Sequence, residues 1–161
     1  QHLLLLAIPA LLTVGCERPL GDGEAEIQAS LGQYDDVGGV TQVAVYTEDM
    51  IDADVPAENR ISWYEATVPQ GDDVSMVLLG VRGGLEHPAL ADGQWLPEDE
   101  DEGFRAYLVG CMGPSYGDWE VDLNAPAALD LVQRDDGRVD VNARADFGDE
   151  GFAELQINGI Q

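Results

Sequence analysis

Five consecutive carboxylates, Glu98-Asp99-Glu100-Asp101-Glu102, followed by Gly103, are the densest run of metal-binding atoms in the chain. Calcium gathers several carboxylate oxygens, so Asp99, Asp101 and Glu102 are the candidate ligands for Ca2+. The spacing Asp99-x-Asp101-x-Gly103 departs from the EF-hand loop, which needs a glycine at its turn and a distant bidentate glutamate. A solvated acidic loop is therefore the first expectation, and calcium binding the second. Asp49, Asp52 and Asp54 form another acidic cluster of the same kind. Aromatic side chains offer different chemistry. Trp63, Tyr64, Trp95, Tyr107, Tyr116 and Trp119 are able to stack on a sugar or clasp a peptide. Trp95 and Tyr116 fall in turns and are the pair expected to be exposed for ligand binding; the null expectation is that these aromatics fill a core or cap its ends. Groups for covalent catalysis are not assembled. Apart from His2 at the start of the sequence, His87 is the one histidine, and it has no neighbouring serine or cysteine. Ser62, Ser75 and Ser115 lie in no nucleophile motif. Gly80-Val81-Arg82-Gly83-Gly84 lacks the Lys and Ser/Thr of a phosphate loop. No catalytic residue is assigned, and the chain is expected not to be an enzyme and to need no cofactor.

These candidates must be carried by short strands. Ile27, Ala29 and Leu31 alternate with polar residues, and Asp35-Asp36 with Gly38-Gly39 reads as a turn. Thr41 to Thr47 is β-branched and aromatic. Ile61 to Val68 reads as a strand closed by Pro69-Gln70-Gly71. Val74 to Val81 is a continuous apolar run, expected as a central strand buried on both faces. Residues 82 to 102 are irregular, and a loop of that length often carries function. Phe104 to Met112 is the next strand, and Trp119 to Leu123 alternates after it. Asp135-Asp136-Gly137 is the clearest hairpin turn. Beyond it Val139, Val141, Ala143, Ala145 and Phe147 occupy one face of a half-solvated strand. Ala153, Leu155 and Ile157 form the last. The pattern predicts an all-β fold: an antiparallel β-sandwich of about eight or nine strands, with a small β-barrel as second choice.

Composition bounds the partners. The chain has 161 residues, 32 acidic and 7 basic, for a formal charge of −25. All seven basic residues are arginine. Such a surface repels nucleic acid and attracts cations or a basic partner. A salty habitat or GC-rich genome accounts for it without any ligand.

The N-terminal stretch adds an address. Leu3 to Val14 is an apolar run of secretory length, too short to span a bilayer. With Thr13-Val14-Gly15-Cys16 closing it, the segment resembles the signal peptide and lipobox of bacterial lipoproteins. The resemblance implies lipid on the Cys16 sulfur, cleavage before Cys16, and a membrane anchor. It covers this segment alone, and it implies that residues 1–15 are a signal peptide lacking its own N-terminal part. Residues 16–24 would then be the lipidated cysteine and a flexible tether, and 25–161 a single sandwich domain. Glu17, where an Asp would favour the inner membrane, tilts the expectation to the outer membrane. Cys111 would be the remaining thiol, expected as a small buried hydrophobe. The expected role is a lipid-anchored cell-envelope protein, non-catalytic, binding an envelope protein or glycan or serving a structural purpose. The alternative is a calcium- or glycan-binding surface module using the 82–102 loop.

Overall fold

The computed structural model describes residues 18–47, 56, 59–85, 90, 93–97, 105–115 and 117–161. Eleven strands run through them: β1 Glu24–Leu31, β2 Tyr34–Gln42, β3 Ala44–Thr47, β4 Ile61–Gln70, β5 Asp73–Arg82, β6 Gly93–Trp95, β7 Ala106–Gly113, β8 Val121–Pro126, β9 Ala128–Gln133, β10 Val139–Asp146 and β11 Gly151–Ile160. One sheet has the order β2-β1-β11-β10-β9-β6 and the other β3-β4-β5-β7-β8. Pairing is antiparallel throughout. The sheets pack face to face and do not close into a barrel. The fold is the expected all-β sandwich.

Alternation explains the layering. In β10, Val139, Val141, Ala143 and Ala145 are buried while Asn142, Arg144 and Asp146 face water. In β5, Val77, Leu79 and Val81 enter the core between the sheets, beside Leu108, Leu155, Ile157, Ile27 and Leu31. The continuous run of β5 sits mid-sheet, where both of its faces are buried.

The strand count exceeds the expected eight or nine for three physical reasons. The chain switches sheets at Val43, so the Thr41–Thr47 run is divided between β2 and β3. It switches again at Ala127, between β8 and β9, and such sheet-switching strands build the corners of a sandwich. The 82–102 region is not wholly irregular, because Gly93–Trp95 pairs with Leu131–Leu129. The Asp35-to-Gly39 stretch, read as a turn, is strand. Its glycines serve close approach rather than reversal: a Cβ on Gly39 would lie 2.6 Å from Val68 Cγ1. Likewise β4 passes through Pro69 to Gln70. β3 pairs only Ser62 to Glu65, so Pro69 sits where β4 has become an edge and proline is tolerated.

The sandwich has two ends. The base gathers the starts of β1, β4, β7 and β10 and the ends of β5, β9 and β11; Ser62, Gly84, Gly137 and Ile160 line one cleft there. The far end holds the turns at Gly32, Gly71 and Gly148 and the connection from Gly113 to Val121.

Candidate functional site

The outer faces of the two sheets differ in kind. On the six-stranded sheet, Glu26, Gln28, Asp130, Asn142, Arg144, Glu154 and Gln156 point away from the core. On the five-stranded sheet, register aligns a row of Tyr46, Trp63, Gly80, Tyr107 and Pro126 across all five strands. The next row is Ala44, Glu65, Leu78, Val109 and Asn124. Met76, Leu78 and Cys111 are buried on this outer side, packed under Trp63, Val109 and Trp119.

Gly80 organises the aromatic row. The rings of Trp63 and Tyr107 meet edge to face above it, centroids 5.3 Å apart and planes at 89°. A Cβ on Gly80 would lie 3.0 Å from Tyr107 Cζ and 3.1 Å from Trp63 Cζ3. The missing side chain lets two rings from flanking strands lean together, a geometry aromatic quadrupoles favour. Chain alternation sends Tyr64 the opposite way, into the core, where its hydroxyl accepts from the Leu85 N–H at 3.2 Å. One of the adjacent pair Trp63 and Tyr64 had to leave the main core, and the structure shows which.

Trp95, expected in an exposed turn, is instead the last residue of β6, half-buried and packed against the core. It lines a small apolar cleft with Leu90, Leu96, Pro97 and Ala106 at the corner where the sheets separate. Pairing of β6 with β9 places it there. Tyr116, Asp99, Asp101, Glu102, Cys16, His87, Asp49, Asp52 and Asp54 lie outside the described residues. Among the described residues, no group of three His, Cys, Asp or Glu is placed to hold a metal ion.

Cys111 is buried, and burial, followed by the nearby Asp122 carboxylate, pushes its thiol up to about 12. A thiol so far above neutral pH is a packing group.

The base carries a feature the sequence did not announce. Arg134 donates to both oxygens of Asp140 (3.0 and 2.6 Å), to Asp22 Oδ1 (2.8 Å) and to Asn158 Oδ1 (2.7 Å). Arg138 pairs with the other oxygen of Asp22. Asn158 in turn donates its side-chain N–H to the Leu20 carbonyl at 2.8 Å, and the Gly23 N–H donates to the Asn158 carbonyl at 2.7 Å. Arg18 grips Glu24 at 2.7 Å. The stretch expected to be a loose tether is thus bonded to the sandwich from Arg18 onward. The signal for it was scarcity: two of only seven basic residues flank one hairpin turn.

Electrostatics follow the contacts. The Arg18 hydrogen bonds, then the Gly21 N–H, hold the Glu24 carboxyl below its ordinary value. Arg134, then the Gly159 N–H, does the same for Asp140. At the far end Tyr34 donates to Glu120, which holds its phenol above the ordinary value.

Among the described residues no helix is long and apolar enough to cross a membrane. The chain matches no family model, no curated protein and no solved structure.

Proposed function

We propose that this chain is a lipid-anchored, non-catalytic binding domain of the bacterial cell envelope. The observation that carries the reading is the apolar run Leu3 to Val14 closing on Thr13-Val14-Gly15-Cys16. The binding surface is the outer face of the five-stranded sheet, where the Trp63–Tyr107 pair and Tyr46 line up in one row. Intact mass of the protein from a membrane fraction, expressed with a complete N-terminus, tests the anchor. A diacylated or triacylated chain from Cys16 to Gln161 is expected; a soluble chain with unmodified Cys16 overturns the reading.

A second reading gives the ligand as a glycan, favoured by the row of Tyr46, Trp63 and Tyr107 across one sheet face. It moves the site from the 82–102 loop to the sheet. Titration with soluble peptidoglycan fragments, followed by tryptophan fluorescence, is expected to shift the emission. Calcium added at ionic strength matched with sodium separates the cation-binding version, since specific binding raises the melting temperature by mass action and screening does not.

A further inference from the structure

We propose that the bonds around Asp22 form a latch that shortens the leash between Cys16 and the sandwich and turns the base toward the bilayer. The inference rests on Cys16 being the point of attachment. Three independent contacts hold the segment: Asp22 on Arg134 and Arg138, the Leu20 carbonyl on Asn158, and the Gly23 amide on the Asn158 carbonyl. The contacts lie on two elements, β11 and the β9–β10 turn. The segment is therefore fixed in direction as well as position.

The geometry sets the reach. With the latch closed, the chain is held from Arg18, whose guanidinium sits on Glu24, and the two residues from Cys16 to Arg18 span at most about 7 Å. With the latch open, the chain is free up to Glu24 at the start of β1, and eight residues span at most about 28 Å. A latched domain stands on its base, with the turns at Gly32, Gly71 and Gly148 turned outward and both outer sheet faces roughly upright. Partners would then reach it from the side or from the far end.

Gly159 is part of the device. Its φ is +57°, and a Cβ there would collide with Asp22 Oδ1 and lie 2.9 Å from Arg134 Nη1. Only glycine lets the carboxylate and guanidinium close over this turn of backbone.

The net charge of −25 supplies the test. On an anionic bilayer at low salt, where the screening length is about 30 Å at 0.01 M, the body is pushed away and pulls its leash taut. The chain from Cys16 to Gln161, which keeps every described strand, is coupled through Cys16 to a maleimide lipid. Buried Cys111 does not compete. Chemical coupling makes the result independent of whether cells lipidate Cys16, so failure here and failure of the lipoprotein reading are separable. Neutron reflectometry on a bilayer containing phosphatidylglycerol then reads the gap between headgroups and protein. The unaltered chain is expected to hold a gap no larger than about 7 Å in one orientation. The combined variant Arg18→Ala, Asp22→Ala and Asn158→Ala, which removes every side-chain attachment of the segment, is expected to widen the gap and blur the orientation. A second variant leaves the latch intact and inserts eight Gly/Ser residues between Cys16 and Glu17; it is expected to widen the gap while Gly23 stays protected from hydrogen exchange. A gap and orientation unchanged by the combined variant, in a protein whose circular dichroism is unaltered, would overturn the latch. So would an unprotected Gly23 amide in the unaltered chain.

Discussion

The two ends of the sandwich are closed by different chemistry. At the far end backbone meets backbone: the Gly32 N–H donates to the Glu150 carbonyl at 2.8 Å, and the Glu120 N–H to the Met112 carbonyl at 2.9 Å. Gly113 and Gly151 permit the approach, since a Cβ on either would collide with a carbonyl oxygen of Asp118 or Ser30. At the base side chains do the closing, through Arg134, Arg138, Asp22 and Asp140. The charges match the division. Among the described residues, the far end holds Asp35, Asp36, Asp72, Asp73, Asp118, Glu120, Asp146, Asp149 and Glu150 and no arginine. Arg18, Arg60, Arg82, Arg105, Arg134 and Arg138 are all at the base, and Arg144 pairs with Glu154 on an outer face. With six arginines at the base and the seventh on an outer face, none is left for the far end. That end is held by peptide groups and by neutral donors, Tyr34 and Gln33, which bond Glu120 without adding charge.

The largest test of this contrast is Gly151→Ala. The new methyl meets the Ser30 carbonyl, which is backbone in a neighbouring strand and cannot step aside, at a φ of +115°. We expect a loss of about 3 kcal/mol or more in urea unfolding. Gly137→Ala in the base turn, at φ +84° with nothing within 4 Å, is expected to cost only about 1–2 kcal/mol. Equal losses would break the comparison.

Arg134→Ala comes next. It leaves Asp140, Asp22 and Asn158 without their shared donor, while the β-pairing of β10 and β11 persists. Hydrogen exchange at the Gly23 amide is expected to rise several-fold and proteolysis to appear near Leu20, with the far-end amide of Gly32 unchanged. Loss of protection at both ends together would show that the ends are not independent.

A smaller effect, of opposite sign, is expected in the interior toward the far end. Ser75 is fully buried and, among the described residues, its hydroxyl has no hydrogen-bond partner. Ser75→Ala removes an unsatisfied polar group and is expected to stabilise by about 1 kcal/mol, read as a raised urea midpoint. A destabilised variant would mean that the hydroxyl is satisfied.

The finest discrimination comes from pH. Glu24 and Asp140 have carboxyls lowered in the folded state, so the stability they add is present above the ordinary carboxylate range and lost as pH falls through their lowered values. Tyr34 has a raised phenol, so its contribution is present below about 10 and lost as pH rises through the folded value. Hydrogen exchange across pH is therefore expected to loosen the base first in acid and the Tyr34–Glu120 contact first in alkali. The same order of opening at both extremes would refute the assignment.

Much of this architecture is legible in the chain. The alternation in Val139 to Ala145, the unbroken run Val74 to Val81 and the Asp-Asp-Gly turn each use a local rule, the period-two pleat or the turn preference of glycine, and each lies where the sequence puts it. Sheet switching at Val43 and Ala127 is not legible, because a strand leaving one sheet for the other keeps the same alternation. Nor is the role of Gly38 and Gly39, where a turn signature and a close-packing signature share the same residue type. Of the candidate site, adjacency alone required Trp63 and Tyr64 to face opposite ways, but only the partner strands decide which of them enters the core.

The sequence by itself determined the class of fold, the acidity and the scarcity of cations. Those are properties of composition and of neighbours along the chain. The tertiary structure alone decided that Asp22 would meet Arg134 and Arg138, more than a hundred residues away, and that Trp63, Gly80 and Tyr107 would form one row. Such contacts depend on strand order and register, which set which distant residues lie side by side, and no local pattern encodes them.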